Sequence, residues 1–327
     1  MPLPPVTLQI SLAPGDHRLA ERLLAHQTAF WKRGVQEILL TIDTRRSRGR
    51  FGEQWETGRQ RILEIARQIP DARVLEVDYS PAAQQAVAKA FFNGARVPVK
   101  DCRGGPYYAY FFGLHATRND LVLHADSDLF FGGDGLRWLE AALPLYNAQP
   151  ELLFIAPLPG PPSPDGRLTQ LSGVRQTLIG HDGFRFHDMS TRLFFFSRDR
   201  FRERLRALKP RPPAIRARLL ALLEGHPATE LPEKLFATAM ADHGLQRFDF
   251  AGPAPGCWSL HPPYRCEDFY KKLPQLIARI ENADIPVGQL GDHDFNASLV
   301  NWNEAIDRMA RRRWWHRLRD RLFARST

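Results

Sequence analysis

The feature that most constrains the fold is an alternation of strand-like and helix-like stretches over the first 130 residues. Val6 to Leu12 carries alternating apolar residues and stops at the turn Ala13-Pro14-Gly15, after which Leu19, Leu23, Leu24 and Phe30 recur at helical spacing. Glu37 to Ile42 is a short apolar run closed by Asp43, and Trp55 to Ile69 is helical in pattern until Pro70 stops it. Val74 to Val77 is a further strand ending at Asp78, and Pro81 opens an alanine-rich helix. Tyr107 to Thr117 is helical, and Leu121 begins a buried strand that runs into Asp126. This order predicts an α/β fold, a mostly parallel sheet with helices on both faces. Ligands bind such sheets beyond the carboxyl ends of the strands, where Asp43, Asp78 and Asp126 fall. Aspartate is also common at turns and N-caps, so no one of the three is informative alone.

Beyond residue 130 the pattern loosens. Gly135 to Leu145 reads as a helix, Leu152 to Ile155 as a strand, and the proline-rich stretch from Pro157 to Pro164 as an ordered loop or mobile flap. Leu193 to Phe196 reads as a strand buried on both faces, while Ile215 to Leu223 and Glu233 to His243 read as helices. The stretch from Gly252 to Pro263, rich in Gly and Pro, reads as irregular, with helices after it.

Cys102, Cys257 and Cys266 form neither a CxxC pair nor an even disulfide framework, which points to a reducing compartment. The start of the sequence lacks a basic-then-apolar leader, and no apolar run approaches the roughly 20 residues of a bilayer span. A cytoplasmic protein is the expectation. The net charge of +9 is concentrated: Arg308 to Arg325 holds eight arginines and one acid, Asp320, a surplus of seven that leaves only two for the rest of the chain. A chain-wide nucleic-acid surface is therefore not expected.

The chemistry centres on Leu121-Val-Leu-His-Ala-Asp126-Ser-Asp128-Leu-Phe-Phe-Gly-Gly. An apolar strand delivers two carboxylates onto a glycine-containing turn. Residues i and i+2 of an extended chain project to one side, so both acids can approach one cation. Hard Mg²⁺ or Mn²⁺ takes one or two carboxylates together with substrate phosphates. As a Lewis acid such an ion stabilises the charge that develops when a sugar–diphosphate bond breaks.

With these parts in order, the chain resembles the GT-A-fold glycosyltransferases, and among them glycosyltransferase family 2. The resemblance is carried by Ile10-Ser-Leu-Ala-Pro14, then Glu37-Ile-Leu-Leu-Thr-Ile-Asp43, then Gly105-Pro-Tyr-Tyr-Ala109-Tyr-Phe-Phe-Gly113-Leu-His-Ala116, then Leu121 to Asp128. It implies a Rossmann-like GT-A domain over residues 1–255. Residues 1–130 would form the nucleotide-sugar half and 131–255 the acceptor half, followed by a helical C-terminal extension over 256–327. It implies a UDP- or GDP-sugar donor contacted by Ala13, Asp43, Asp78, Arg103, Gly105 and Asp126, with Asp126 and Asp128 holding Mn²⁺ or Mg²⁺. The chain departs from the family at Tyr110 and Phe111, where the family often has Arg-Asn, so Arg103 or Lys100 would have to replace that polar pair.

The same resemblance implies a base near the start of a helix that ends in glycine. Here that stretch runs from Thr229 to Gly244, with Glu233 at the family's spacing, Glu230 in reserve, and Pro232 where a second acid usually stands. First-turn acids are also favoured by the helix macrodipole without any catalytic role. His261 is expected as a third metal ligand. Asp292-His293-Asp294 reads as a polar turn, or as an acceptor or metal contact. Trp258 and Tyr264 read as sugar-stacking or core residues.

In the tail, Trp314, Leu318 and Leu322 fall four apart with Trp315 and Phe323 alongside, among arginines. That is a basic amphipathic helix, suited to an anionic membrane surface, here the inner face, or to docking its aromatic stripe on the catalytic domain with the arginines solvated. The function expected is transfer of a sugar to a saccharide or lipid-linked acceptor hydroxyl, with inversion, in cell-surface polysaccharide or glycolipid synthesis. The alternatives are a sugar nucleotidyltransferase, or a non-enzymatic basic protein binding membrane or nucleic acid. Against the first, Leu12 to Arg18 lacks a glycine-rich basic loop.

Overall fold

A computed structural model describes residues 3–46, 55–169, 171 and 173–311. The expected basic amphipathic tail helix, with Trp314, Trp315, Leu318, Leu322 and Phe323, lies outside the described residues.

The first half follows the alternation in the sequence. In chain order come β1 (Val6–Leu12), α1 (His17–Trp31), β2 (Glu37–Ile42), α2 (Trp55–Arg67), β3 (Ala72–Glu76), α3 (Pro81–Phe92), α4 (Tyr108–His115) and β4 (Leu121–Asp126). Local chemistry sets the boundaries. Ser80 caps α3 by accepting a hydrogen bond from the Ala83 N–H with Pro81 in the first turn, and Asn93 closes the helix in the left-handed region. The four strands lie in the order β3-β2-β1-β4, all parallel.

The second half adds β5 (Phe130–Gly133), α5 (Gly135–Ala148), β6 (Leu152–Pro159), β7 (Val174–Leu178), β8 (His181–Phe186) and β9 (Leu193–Ser197). After these come α6 (Arg198–Leu205), α7 (Ile215–Glu224), α8 (Pro232–Asp242), β10 (Gln246–Phe250), β11 (Cys257–Leu260), α9 (Glu267–Glu281) and α10 (Asn303–Arg311). The sheet continues β4-β9-β6-β10-β8-β7. Only β9 and β8 run against the other strands of that path, so the sheet is mixed but mostly parallel.

Helices cover both faces, which is why the strands read as continuous apolar runs. On one face Leu123 and Phe195 pack with Trp31, Ile62 and Trp138. On the other, Val122, Phe194 and Phe196 pack with Phe91, Phe111, Phe201 and Phe236.

Three expectations are corrected here. The strand expected over Leu152 to Ile155 runs on through Pro157 to Pro159, so the first three residues of the supposed proline flap belong to β6. The stretch expected to be irregular contains β11, which pairs antiparallel with β5 and parallel with β6. Gly132 and Gly133, expected in a turn, end β5. A Cβ on Gly132 would lie 2.1 Å from the Trp258 ring, and one on Gly133 would lie 1.8 Å from the Gly256 carbonyl oxygen. The glycines are there to let β11 come close. Residues beyond 256 are thereby knitted onto the sheet: Phe130 of β5 and Leu19 and Leu23 of α1 share a core with Phe269, Phe295 and Trp302.

Candidate active site

The site is built on the carboxyl ends of β1, β2 and β4. Asp126 ends β4, and its backbone N–H donates to the Arg192 carbonyl oxygen at 2.7 Å. Gln27 of α1 reaches the loop that follows, donating to the carbonyls of Asp126 at 3.0 Å and Leu129 at 2.8 Å. A buried glutamine on an apolar helix face thus holds the two carboxylates in place.

Asp126 and Asp128 have different surroundings. The Asp126 side chain is 38% exposed and sits 3.5 Å from His124 Nε2, while His124 Nδ1 contacts the Gln9 amide oxygen. Gln9 in turn donates to Thr41 at 2.8 Å, and Gly113 of α4 leaves room for this network. Burial raises the Asp126 carboxyl above the ordinary range, against the pull of His124. Asp128 is also desolvated, but His261 and Arg265 hold it well below that range.

β11 brings His261 back to Asp128. The His261 Nε2 atom lies 3.5 Å from Asp128 Oδ2, and its Nδ1 contacts Asp294 Oδ1 at 2.8 Å. A carboxylate on one imidazole nitrogen fixes the tautomer and aims the other nitrogen, the arrangement common behind metal-bound histidines. Asp294 is therefore more than a polar turn residue. Arg265 closes the group, donating to Asp128 at 3.0 Å and to Asp16 at 2.7 Å. Asp16 belongs to the turn after β1, where its carboxylate accepts from the Ala13 N–H at 2.9 Å.

Asp126, Asp128 and His261 offer two carboxylates and an imidazole at one edge, a donor set that suits Mn²⁺ or Mg²⁺. Among the described residues, no group of three or more His, Cys, Asp or Glu is placed to hold a metal ion, and Asp128 is engaged by Arg265 at 3.0 Å.

The other expected donor residues are placed less uniformly. Asp43 is buried and clasped by Lys100 Nζ at 2.7 Å and Tyr79 Oη at 2.8 Å, so Lys100 rather than Arg103 supplies the cation beside it. Gly105 lies in a tight loop whose Asp101 carboxylate accepts from the N–H groups of Gly105 at 2.9 Å and Arg103 at 2.7 Å. Asp78 is exposed and spends its carboxylate on Ser80 at the start of α3.

Glu233 sits in the first turn of α8 and is hydrogen-bonded to Thr191. Burial pushes its carboxyl up, and the nearby charges of Asp126 and Asp101 add to the rise. Glu230 instead lies over the loop of Cys102 and Tyr107. Glu233 is an acid that feels the charge of Asp126. Trp258 is buried against Gly132, and Tyr264 packs edge-on to Trp302 with centroids 5.8 Å apart. Beside His261 a cavity of ≈ 200 Å³ opens, lined by Asp188, Arg192, Arg247 and Ser259 as well as apolar Met189 and Phe186.

Among the solved structures similar to this chain are several glycosyltransferases. The galactosyltransferase LgtC, solved with donor and acceptor sugar analogues, is 9% identical with a TM-score of 0.39, matching 84% of this chain and 96% of its own. TarS from S. aureus, in complex with UDP-GlcNAc, is 11% identical with a TM-score of 0.38, over 84% of this chain and 66% of that one. Glucosyl-3-phosphoglycerate synthase from Mycobacterium tuberculosis, solved with Mn²⁺, UDP and glucosyl-3-phosphoglycerate, is 15% identical with a TM-score of 0.35, over 84% of this chain and 78% of that one. No protein-family model and no curated protein matches the sequence. At such identities and scores the likeness says nothing of activity, which rests on the side chains of this chain.

Residues not singled out from sequence include Gln27, Tyr79, Thr191 and Arg265. Gln27 alone left a signal, as a polar residue amid an apolar helix face.

Proposed function

We propose that the protein is a metal-dependent glycosyltransferase that moves a sugar from a nucleoside-diphosphate donor to an acceptor hydroxyl. The observation that carries this reading is the convergence of Asp128, His261, Asp294 and Arg265 at the end of β4, with Glu233 facing the charge of Asp126. Asp126, Asp128 and His261 would hold Mn²⁺ or Mg²⁺, which when bound supplies Lewis-acid stabilisation of the departing diphosphate.

The chain's own groups do the rest. Asp43 and Lys100 meet the nucleoside beyond β2, with Ala13 and Gly105 at its sides. Arg265 adds a fixed cation where negative charge builds on the leaving group, a placement whose value grows in a site shielded from water. Glu233 takes the proton of the acceptor hydroxyl as that oxygen attacks the anomeric carbon. A single displacement of this kind inverts the configuration. Its raised pKa makes Glu233 a stronger base than an exposed glutamate. The cavity beside His261 receives the acceptor, a saccharide or lipid-linked hydroxyl compound of the kind used in cell-surface polysaccharide or glycolipid synthesis.

The test is equilibrium binding of UDP and of GDP, each with and without Mn²⁺. One nucleotide is expected to bind in a Mn²⁺-dependent manner, and Asp128→Ala should weaken that binding by about tenfold or more. Binding that ignores both the metal and the substitution would remove the basis of the reading.

A further inference from the structure

Helix α7 takes no part in the site, yet its ten residues, Ile-Arg-Ala-Arg-Leu-Leu-Ala-Leu-Leu-Glu, include five large apolar ones. All five are exposed, four of them by more than half: Ile215 is 81% exposed, Leu219 58%, Leu222 62% and Leu223 53%, with Leu220 at 37%. Ala221, on the opposite side, is fully buried. With each residue turning about 100°, the four occupy an arc of roughly 100°, bounded by Arg218 on one edge and Arg216 on the other. A helix normally turns such a stripe toward the core. Here it is turned away.

The segment's charge is one-sided. Residues 198–224 contain nine basic side chains and three acids. Arg216 and Arg218 are exposed beside the stripe, and Arg206 and Lys209 are exposed just before it. An apolar face flanked by arginines is what an interfacial helix requires: the aliphatic side chains enter the acyl boundary while guanidinium groups snorkel to lipid phosphates. Nucleic acid would use the charge but not the stripe.

The helix is also held on a fixed base. The excursion that carries it is pinned where it leaves and returns, the Glu230 N–H donating to the Arg211 carbonyl at 2.9 Å. The Cys102 N–H donates to the Thr229 carbonyl at 2.9 Å, and the His226 ring packs on Gly104. The chain then enters α8, which bears Glu233.

We propose that α7 docks the protein on an anionic lipid surface, with Ile215, Leu219, Leu222 and Leu223 in the acyl boundary and Arg216 and Arg218 on the phosphates. This surface is distinct from the arginine-rich tail. Among the described residues no helix is long and apolar enough to cross a membrane, so α7 lies on the bilayer rather than in it.

The experiment is co-sedimentation of the full-length protein with vesicles of phosphatidylcholine alone and of phosphatidylcholine mixed with phosphatidylglycerol. The parent should partition onto the anionic vesicles only. The exposed-face variant Leu219→Gln/Leu222→Gln/Leu223→Gln should lose about tenfold or more of that partitioning, and Arg216→Glu/Arg218→Glu should lose it comparably. Both keep the tail intact, so the loss would belong to α7. The idea is overturned if the leucine variant partitions as the parent does, or if the parent stays in the supernatant. It is also overturned if the parent is a dimer that the leucine variant converts to monomer, since a second copy would then cover the face. Titration of the same preparations with UDP and with GDP, each with Mn²⁺, reports on the transferase reading separately, so failure of one does not imply failure of the other.

Discussion

Glu233→Gln is expected to lower the transfer rate by about 10²- to 10⁴-fold, the usual contribution of a positioned general base. Glutamine keeps the shape and the hydrogen-bonding reach of the side chain at the start of α8, so the helix should stay seated through its buried Leu235, Phe236 and Met240. What it loses is the ability to accept the acceptor's proton. Because Glu233 stands across from Asp126 rather than on the metal edge itself, Mn²⁺-dependent UDP binding should stay within about threefold of the parent, a change too small to implicate a donor contact. The pH profile carries an independent signature. Burial, with Asp126 and Asp101 nearby, lifts the Glu233 pKa above its ordinary value. A raised carboxyl pKa means the base stays protonated, and the enzyme inactive, to a higher pH. Rate at limiting substrate should therefore rise with pH through a midpoint above about 4.3, the value for an unperturbed glutamate, and then level off. In the glutamine variant that acid limb should vanish. A variant that turns over at the parental rate would transfer the role to another group, with Glu230 the first to examine.

What was legible in the sequence follows from how each element is stabilised. β1, β2 and β4 are buried on both faces and flanked by turn residues, so they stand out as apolar runs. β10 is Gln-Arg-Phe-Asp-Phe, and its two buried charges satisfy one another, which hides a core strand behind polar letters. β11 is flanked by Gly252, Pro253, Pro255, Gly256, Pro262 and Pro263, which disguise it as loop. The site divides in the same way. Asp126 and Asp128 announce themselves by spacing, and His261 by its residue type. Arg265 and Asp294 do not, because each acts on a partner distant along the chain. Arg265 meets Asp128 across 137 positions, and Asp294 meets His261 across 33. Both meetings depend on β11 pairing with β5. The apolar period of α7 was legible too, but periodicity gives the stripe and not the side on which it is left uncovered.

Asp249→Ala is expected to destabilise the protein by on the order of 3 kcal/mol, near the lower end of the cost of breaking a buried ion pair from one side. Arg247 and Asp249 lie two residues apart on β10, so both side chains project from the same face of the strand. The Arg247 Nε donates to Asp249 Oδ1 at 2.7 Å and its Nη2 donates to Oδ2, a fork that satisfies both carboxylate oxygens. Burial pushes the Asp249 carboxyl up to about 6 against the opposing pull of Arg247, so at pH 7.5 to 8 the pair is ionised. Removing the acid leaves a guanidinium that is almost wholly buried with no counter-charge. Its position on the wall of the cavity beside His261 gives it some access to water, which keeps the cost below the upper end of the range. Urea unfolding at pH 8 would measure the loss. The discriminating variant is Arg247→Leu/Asp249→Leu, in which both charges go. An apolar pair of similar volume is often neutral or stabilising, so the double variant should recover most of the stability. If Asp249→Ala costs less than about 0.5 kcal/mol, the range of an ordinary surface change, the fork is not holding this part of the sheet. If the double variant is no better than the single, the loss comes from packing rather than from the stranded charge. In either case the acceptor cavity loses the Arg247 charge only in the double variant, so acceptor KM should separate the two variants even where their stabilities converge.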